Sequence, residues 1–381
     1  MNAGISLSEL AKEVERQNTA KRDYIAPLGR LRADLSYPEG EGPNTGAVAP
    51  VMVLSNGDAH AMPIRRTAHQ QIAEEVGIPK GYYDRMLTEF PELWRANVNH
   101  IIEHGKGERE KRKMVRTMDG ELRALLSDRY RPLDNFDLLE VVLPILQRQT
   151  VKVVSSNITE SRMYLKVILP NIQAEVQGVT LGVGHNHLQK NILVAALTIS
   201  NSEVGSGSLQ VVPSVFDTWC TNLAQLSVKF MRKYHIGRTG TGDGDSVEEL
   251  LSNDTRQVRD KAFWMSVRDV VKNSLNDEAF KMAVAGINQA ASDKIESRDL
   301  PAVIEVATEL LGLDKSVRGN LLTSLVQRGD LSRWGLASAV TAQANADGMD
   351  YESSNDFERL GGQVIELGKH EWARITSAGR N

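Results

Sequence analysis

The sequence predicts an α+β fold: a central antiparallel β-meander packed by helices, followed by an all-helical C-terminal region. Three observations carry it. Between residues 151 and 212, short β-rich runs are separated by Asn, Gly and Pro, the spacing of strands joined by turns. Apolar residues recur at helical spacing on both sides of that block. Beyond Ser246 the strand-like runs cease and helix-start signals recur to the end.

Taken in order, residues 1–110 read as a mixed α/β region. Ser8–Asn18 is a short helix, and Ser36–Pro50 is a Pro- and Gly-rich stretch. Val51–Leu54, Asn56-Gly57 and a return toward Ile64 have the pattern of a hairpin, because Asn and Gly accept the positive φ angles of a tight turn. Thr67 is placed to cap a helix ending at Gly77, and Tyr82–Leu87 and Leu93–His104 are further helices. Gly105–Lys113 is a charged break.

Residues 111–238 form an α+β core. Met114–Leu126 reads as two strands about Asp119-Gly120. Asp134 caps a helix over Phe136–Gln149, which Pro144 should kink or divide. Strands follow at Val151–Val154, Arg162–Leu169, Val179–Val183, Ile192–Ile199 and Leu209–Val212. Ser214–Tyr234 is expected to close the region as a helix, with Trp219, Leu223, Leu226 and Phe230 at helical spacing. Residues 239–245 are a Gly/Asp hinge. Residues 246–381 form the helical region, opening on the capping-box spacing Ser246-Val-Glu-Glu249, with Asp314 and Asp330 as later caps.

Composition narrows the chemistry. The 381 residues are 41% hydrophobic and 25% charged, with no apolar run of membrane-spanning length (about 18 residues) and no signal-type N-terminus, which points to the cytoplasm and away from membranes. One cysteine, Cys220, excludes an internal disulfide framework and a Cys-based zinc site; it is expected on an apolar helix face. His100 and His104 stand at i, i+4, and His185 and His187 flank Asn186, but neither pair has the glutamate of a zinc-protease motif. No P-loop and no nucleophile elbow occur, so neither cofactor, metal nor enzymatic activity is expected. Asn201–Ser208 offers a backbone nest for phosphate or a plain hairpin connection.

Charge is more informative than the net −4. Residues 111–238 hold 16 basic and 10 acidic side chains, a net +6, whereas residues 1–110 carry −3 and residues 246–381 carry −5. A basic middle between acidic flanks points to a polyanionic partner. Along Ser161–Leu169, strand alternation sets Arg162, Tyr164 and Lys166 on one face and Met163, Leu165, Val167 and Leu169 on the other. A basic–aromatic–basic face suits single-stranded nucleic acid, with phosphates on the cations and bases on the ring; the same pattern also fits a solvated sheet face. Lys229, Arg232 and Lys233 share one face of the expected closing helix, where they serve either phosphate or the helix dipole. Arg129, Tyr130 and Arg131 complete the candidate nucleic-acid-binding set.

The string Leu125-Leu-Ser-Asp-Arg-Tyr-Arg-Pro-Leu-Asp-Asn135 resembles a signature of phage- and plasmid-borne proteins that share an uncharacterised domain of the YfjQ/YafZ-like type. Ile199-Ser-Asn-Ser-Glu-Val-Gly-Ser-Gly-Ser-Leu209, Trp219-Cys-Thr-Asn222, Trp334-Gly-Leu-Ala-Ser-Ala-Val-Thr341 and Phe357-Glu-Arg-Leu-Gly-Gly362 fit the same family, which together spans most of the chain. Leu223 departs from it where a glycine is expected. The resemblance implies a mobile genetic element in a bacterial host. The order helix, meander, helix is also similar to the single-strand annealing proteins (the RecT, Red-beta and Rad-type group), which implies single-stranded DNA binding, a homo-oligomer and contact with a host single-strand-binding protein. The expectation is a non-enzymatic protein that binds and anneals single-stranded DNA. The alternative is a mobile-element protein that binds a host protein, as a defence antagonist or regulator.

Overall fold

Ser6 opens the first helix with a full capping box, its hydroxyl accepting the Glu9 N–H while the Glu9 carboxylate accepts the Ser6 N–H. The computed structural model describes residues 4–37, 49–56, 58–181, 189–226 and 253–378. Helix α1 (Leu7–Ala20) runs into β1 (Lys21–Pro27), and β2 (Leu31–Ser36), β3 (Ala49–Asn56) and β4 (Asp58–Pro63) follow. Then come α2 (Arg66–Glu75), α3 (Lys80–Glu89) and α4 (Pro91–His104). The expected hairpin partners β3 and β4 pair antiparallel, Asn56 opposite Asp58, and Gly57 lies outside the described residues. Arg65, not Thr67, stands at the N-cap of α2.

Strands β5 (Arg112–Met118) and β6 (Glu121–Ser127) form the second expected hairpin, with Asp119 and Gly120 at φ 56° and 79°. Strand β1 pairs antiparallel with β5, so the sheet β1-β5-β6 joins residues on both sides of residue 110. Helix α5 (Asn135–Gln147) begins at Asp134 and is not divided by Pro144. It buries Leu138, Val142, Ile145 and Leu146.

The meander contains β7 (Lys152–Ile158), β8 (Met163–Leu181), β9 (Gln189–Asn201), β10 (Gln210–Asp217) and β11 (Asn222–Gln225), in the antiparallel order β11-β10-β9-β8-β7. The closing helix expected from Ser214 is corrected here. Ser214–Asp217 pairs with Asn222–Gln225 across a turn. Asp217 accepts the Trp219 N–H at 3.0 Å and Thr221 takes a positive φ of 52°, so local side-chain bonding folds the chain back. The helical spacing of Trp219, Leu223 and Leu226 is a coincidence of a strand, a turn and a strand. Phe230 lies outside the described residues, as do Ser246 and the hinge at 239–245.

The C-terminal region comprises α6 (Asn253–Ser274), α7 (Asp277–Ser292), α8 (Leu300–Leu310), α9 (Arg318–Arg328), α10 (Arg333–Ala342), α11 (Tyr351–Ile365) and α12 (Lys369–Thr376). Asp314 caps a 3-10 turn, accepting the Ser316 N–H. Asp330 is buried instead, and Ser332 caps α10. One continuous core joins α1, α5, the meander and these helices; a second core fills the N-terminal region. No helix among the described residues is long and apolar enough to cross a membrane.

Candidate nucleic-acid interface

The alternation expected in β8 is correct, but both faces are covered. Met163, Leu165, Val167 and Leu169 enter the main core. Tyr164 and Lys166, expected in solvent, are 2% and 1% exposed and pack beneath α11. Lys166 Nζ lies 2.7 Å from Glu358 and 4.9 Å from the centre of the Tyr351 ring, and the Tyr164 and Tyr351 rings are 5.1 Å apart. Their assignment to a nucleic-acid face is therefore withdrawn. Strand period fixes which side a residue faces, and the helix that covers that side lies almost two hundred residues away.

The same motif strings organise the interior. Arg116, fully buried, bridges Asp23 and Asp134 at 2.9 Å each and donates to the Glu203 carbonyl. Burial by itself would lower the Arg116 pKa, but Asp23 and Asp134 hold it above the ordinary value. Burial opposes ionisation of Asp134, yet Arg116 and Lys21 keep its carboxyl below the usual range. Arg123 pairs with Glu203 at 2.9 Å, and Glu203 accepts the Asn135 N–H. Within Asn201–Ser208, weighed as a phosphate nest or a plain hairpin connection, the Val204 and Ser206 N–H groups donate to Ser202 Oγ, which favours the connection.

At the far edge of the sheet, Arg328 pairs with Asp217 at 2.8 Å, and Asn191 accepts from both Arg328 and Trp334. Cys220 sits half-buried in the β10–β11 turn, not on a helix; it receives Arg328 Nη1 at 2.9 Å, and burial raises its thiol pKa. Gly361 and Gly362 let α11 approach its neighbours: a Cβ on Gly362 would fall 1.7 Å from the Gln225 carbonyl oxygen.

These contacts alter the charge argument. Lys113, Arg116, Arg123 and Lys166 are all buried. Their partners include Glu75 and Asp23 from the acidic N-terminal region and Glu358 from the acidic C-terminal one. Part of the polyanionic partner sought by the basic middle is thus the protein's own flanks.

The other candidates diverge. Arg129 and Arg131 are exposed, and Tyr130 turns inward to donate to the Ser202 carbonyl at 3.2 Å. Arg162 is half-buried and donates to the Ser206 carbonyl. Lys229, Arg232 and Lys233 lie outside the described residues. Arg131 forms an ion pair with Asp260 and stands 4.9 Å over the Phe263 ring, which places it beside α6.

There the structure supplies cations that the sequence reading missed. Helices α5 and α6 flank a groove of about 760 Å³. Lys261, Trp264, Met265, Arg268 and Lys272 of α6 line one wall, at i, i+3, i+4, i+7 and i+11. Arg148 at the end of α5 faces them, with Asp137 and Glu140. Lys261, Lys272 and Arg148 are exposed, whereas Arg268 also contacts its neighbour Asp269. Burial, reinforced by Asp134, raises the Asp137 pKa. The signal was present in the spacing of α6, but the acidic total of residues 246–381 concealed it. A basic groove with an indole at its wall can hold phosphates and stack a base.

Elsewhere, His100 and His104 have ring centres 4.6 Å apart, and His185 and His187 lie outside the described residues. Among the described residues no group of three or more His, Cys, Asp or Glu side chains is arranged to hold a metal ion. The family resemblance rests on the quoted strings alone: compared with known proteins, the chain matches no family model, no curated protein and no solved structure.

Proposed function

We propose that the protein binds single-stranded DNA in the α5–α6 groove and acts, as a homo-oligomer in a bacterial cytoplasm, in non-enzymatic strand annealing for a mobile genetic element. The observation that carries the reading is the groove itself: Arg148, Lys261, Arg268 and Lys272 around Trp264, with Arg131 beside the same helix. Cations at this density release counterions from a phosphate chain, and an indole face accepts any base, so the site favours a flexible single strand without sequence preference. Although Ser214 opens no closing helix, helices α5 and α6 still flank the meander, and this element order, shared with single-strand annealing proteins, supports an annealing step with a host single-strand-binding protein as partner.

The test is fluorescence anisotropy of a labelled oligonucleotide at about 50 and 200 mM salt, the range over which phosphate contacts are read. Binding should fall steeply with salt. Lys261→Gln with Lys272→Gln should reduce the slope of log affinity against log salt by about 1.4, two contacts at about 0.7 each for a single strand. An unchanged slope removes the groove from the reading, and no binding at the lower salt removes the DNA proposal.

A second reading, binding to a host protein, is favoured by one observation. Tyr82 on α3, Phe90 at the junction and Leu93 on α4 are 50%, 50% and 43% exposed, large apolar side chains of the kind that protein contacts cover. A stable host-protein complex with salt-insensitive DNA binding would favour it.

A further inference from the structure

A second cleft, of about 810 Å³, lies between α1, the β5–β6 hairpin and the β7–β8 turn. We infer that it binds a small zwitterion, a molecule carrying both a carboxylate and an ammonium, of the amino-acid or short-peptide class. Its electrostatics differ from those of the α5–α6 groove. Carboxylates outnumber guanidinium groups along its lining, so a phosphate chain is disfavoured there.

Two of its arginines are already matched: Arg16 by Glu13 and Asp119, and Arg65 by Glu121. The groups left over come in opposite signs. At the lip, Arg162 donates to the Ser206 carbonyl and has no carboxylate within ion-pair distance among the described residues. Glu160, two residues away, accepts only the Thr67 N–H, at 3.2 Å, among the described residues. At the floor, the Arg123 and Glu203 side chains are each 5% exposed. Arg123 Nη2 pairs with Glu203 Oε2 at 2.9 Å, which leaves the Arg123 Nε–H without an acceptor among the described residues.

An unmatched Arg123 Nε–H in a desolvated floor is costly, and a ligand carboxylate would satisfy it together with Arg162 while the ligand's ammonium meets Glu160. A simple anion would leave Glu160 opposed to it, and a simple cation would leave Arg162 and the Arg123 Nε–H unmatched. Arg162 thereby acquires a role other than the nucleic-acid contact expected from its strand.

The experiment is calorimetric titration of the full chain with free L-amino acids and glycylglycine, with acetate and ethylamine as probes carrying one charge each. At least one zwitterion should bind saturably, while neither single-charge probe does at the same concentration. Arg162→Gln and Glu160→Gln should each weaken binding by about tenfold, one charge-assisted hydrogen bond apiece, with circular dichroism unchanged. Lys261→Gln with Lys272→Gln should leave it intact, which separates this site from the DNA groove. The inference is overturned if no zwitterion binds at millimolar concentration, if acetate or ethylamine alone binds equally well, or if both lip variants fold and retain full affinity.

Discussion

Replacing Lys166 by methionine tests the internal charge scheme most directly. Methionine nearly matches the lysine in length and leaves no large cavity, so the change isolates the ion pair. In the native protein Lys166 Nζ is 2.7 Å from Glu358, both side chains are 1% exposed, and Gln225 Nε2 adds a bond at 3.2 Å. Removing the cation leaves a buried carboxylate held mainly by that amide, which costs about 3–5 kcal/mol. At roughly 2 °C per kcal/mol for a large domain, Tm should fall by about 6–10 °C. Burial already raises the Glu358 pKa above its unfolded value even with Lys166 present. A raised carboxyl pKa adds stability below the unfolded pKa and loses it as pH rises through the folded value. Without Lys166 the folded value rises further, so the deficit of Lys166→Met against wild type should narrow as pH is lowered from 8 toward 5. Lys166→Met with Glu358→Leu, which removes both charges, should recover most of the loss. The assay is thermal unfolding by circular dichroism across that pH range. A single variant within 1 °C of wild type (roughly half a kcal/mol), or a double variant less stable than the single, would refute the argument. Folded Lys166→Met should also bind DNA as wild type does, unlike a residue on an exposed basic stripe.

Other perturbations address separate parts of the molecule. Trp264→Ala should weaken oligonucleotide binding by about 1–3 kcal/mol while barely altering its salt slope, read by anisotropy, because stacking rather than charge is lost. Gly362→Ala should destabilise the fold by about 1–3 kcal/mol in denaturant titration, since its Cβ would fall 1.7 Å from the Gln225 carbonyl oxygen and α11 would have to retreat from β11. His69, enclosed with Tyr83 and Trp94, has its pKa lowered to about 4 by burial, with Lys80 adding to the effect. A depressed histidine pKa gives stability that is present above the unfolded value and lost as pH falls from about 6.5 toward 4. His69→Gln should therefore flatten the acid limb of a Tm–pH curve over that window.

Local structure was legible wherever short-range chemistry decides it. The β3–β4 pairing, the Asp119-Gly120 turn, α1, α4, α5 and most meander strands follow from turn residues and hydrophobic period. β1 was missed because Lys21–Pro27 alternates too little to announce a strand, whereas Leu31–Ser36 alternates strictly and its signal went unread; they form by pairing with β5 and β3. The helix expected from Ser214 failed because helical spacing outweighed the Asp217 turn. In the α5–α6 groove, the α6 cations were visible residue by residue, but only packing against α5 gathers Arg148 and Lys261 into one lining.

By itself the sequence determined the α+β class, the meander between helical regions, and the side of β8 to which Tyr164 and Lys166 belong. Only the tertiary structure decided whether those side chains meet water. Side-chain period is a property of one strand, set by backbone geometry, whereas burial depends on what packs against that strand. For Lys166 the covering residue is Glu358, 192 positions along the chain, and the charge that looked like an invitation to a polyanion is neutralised there.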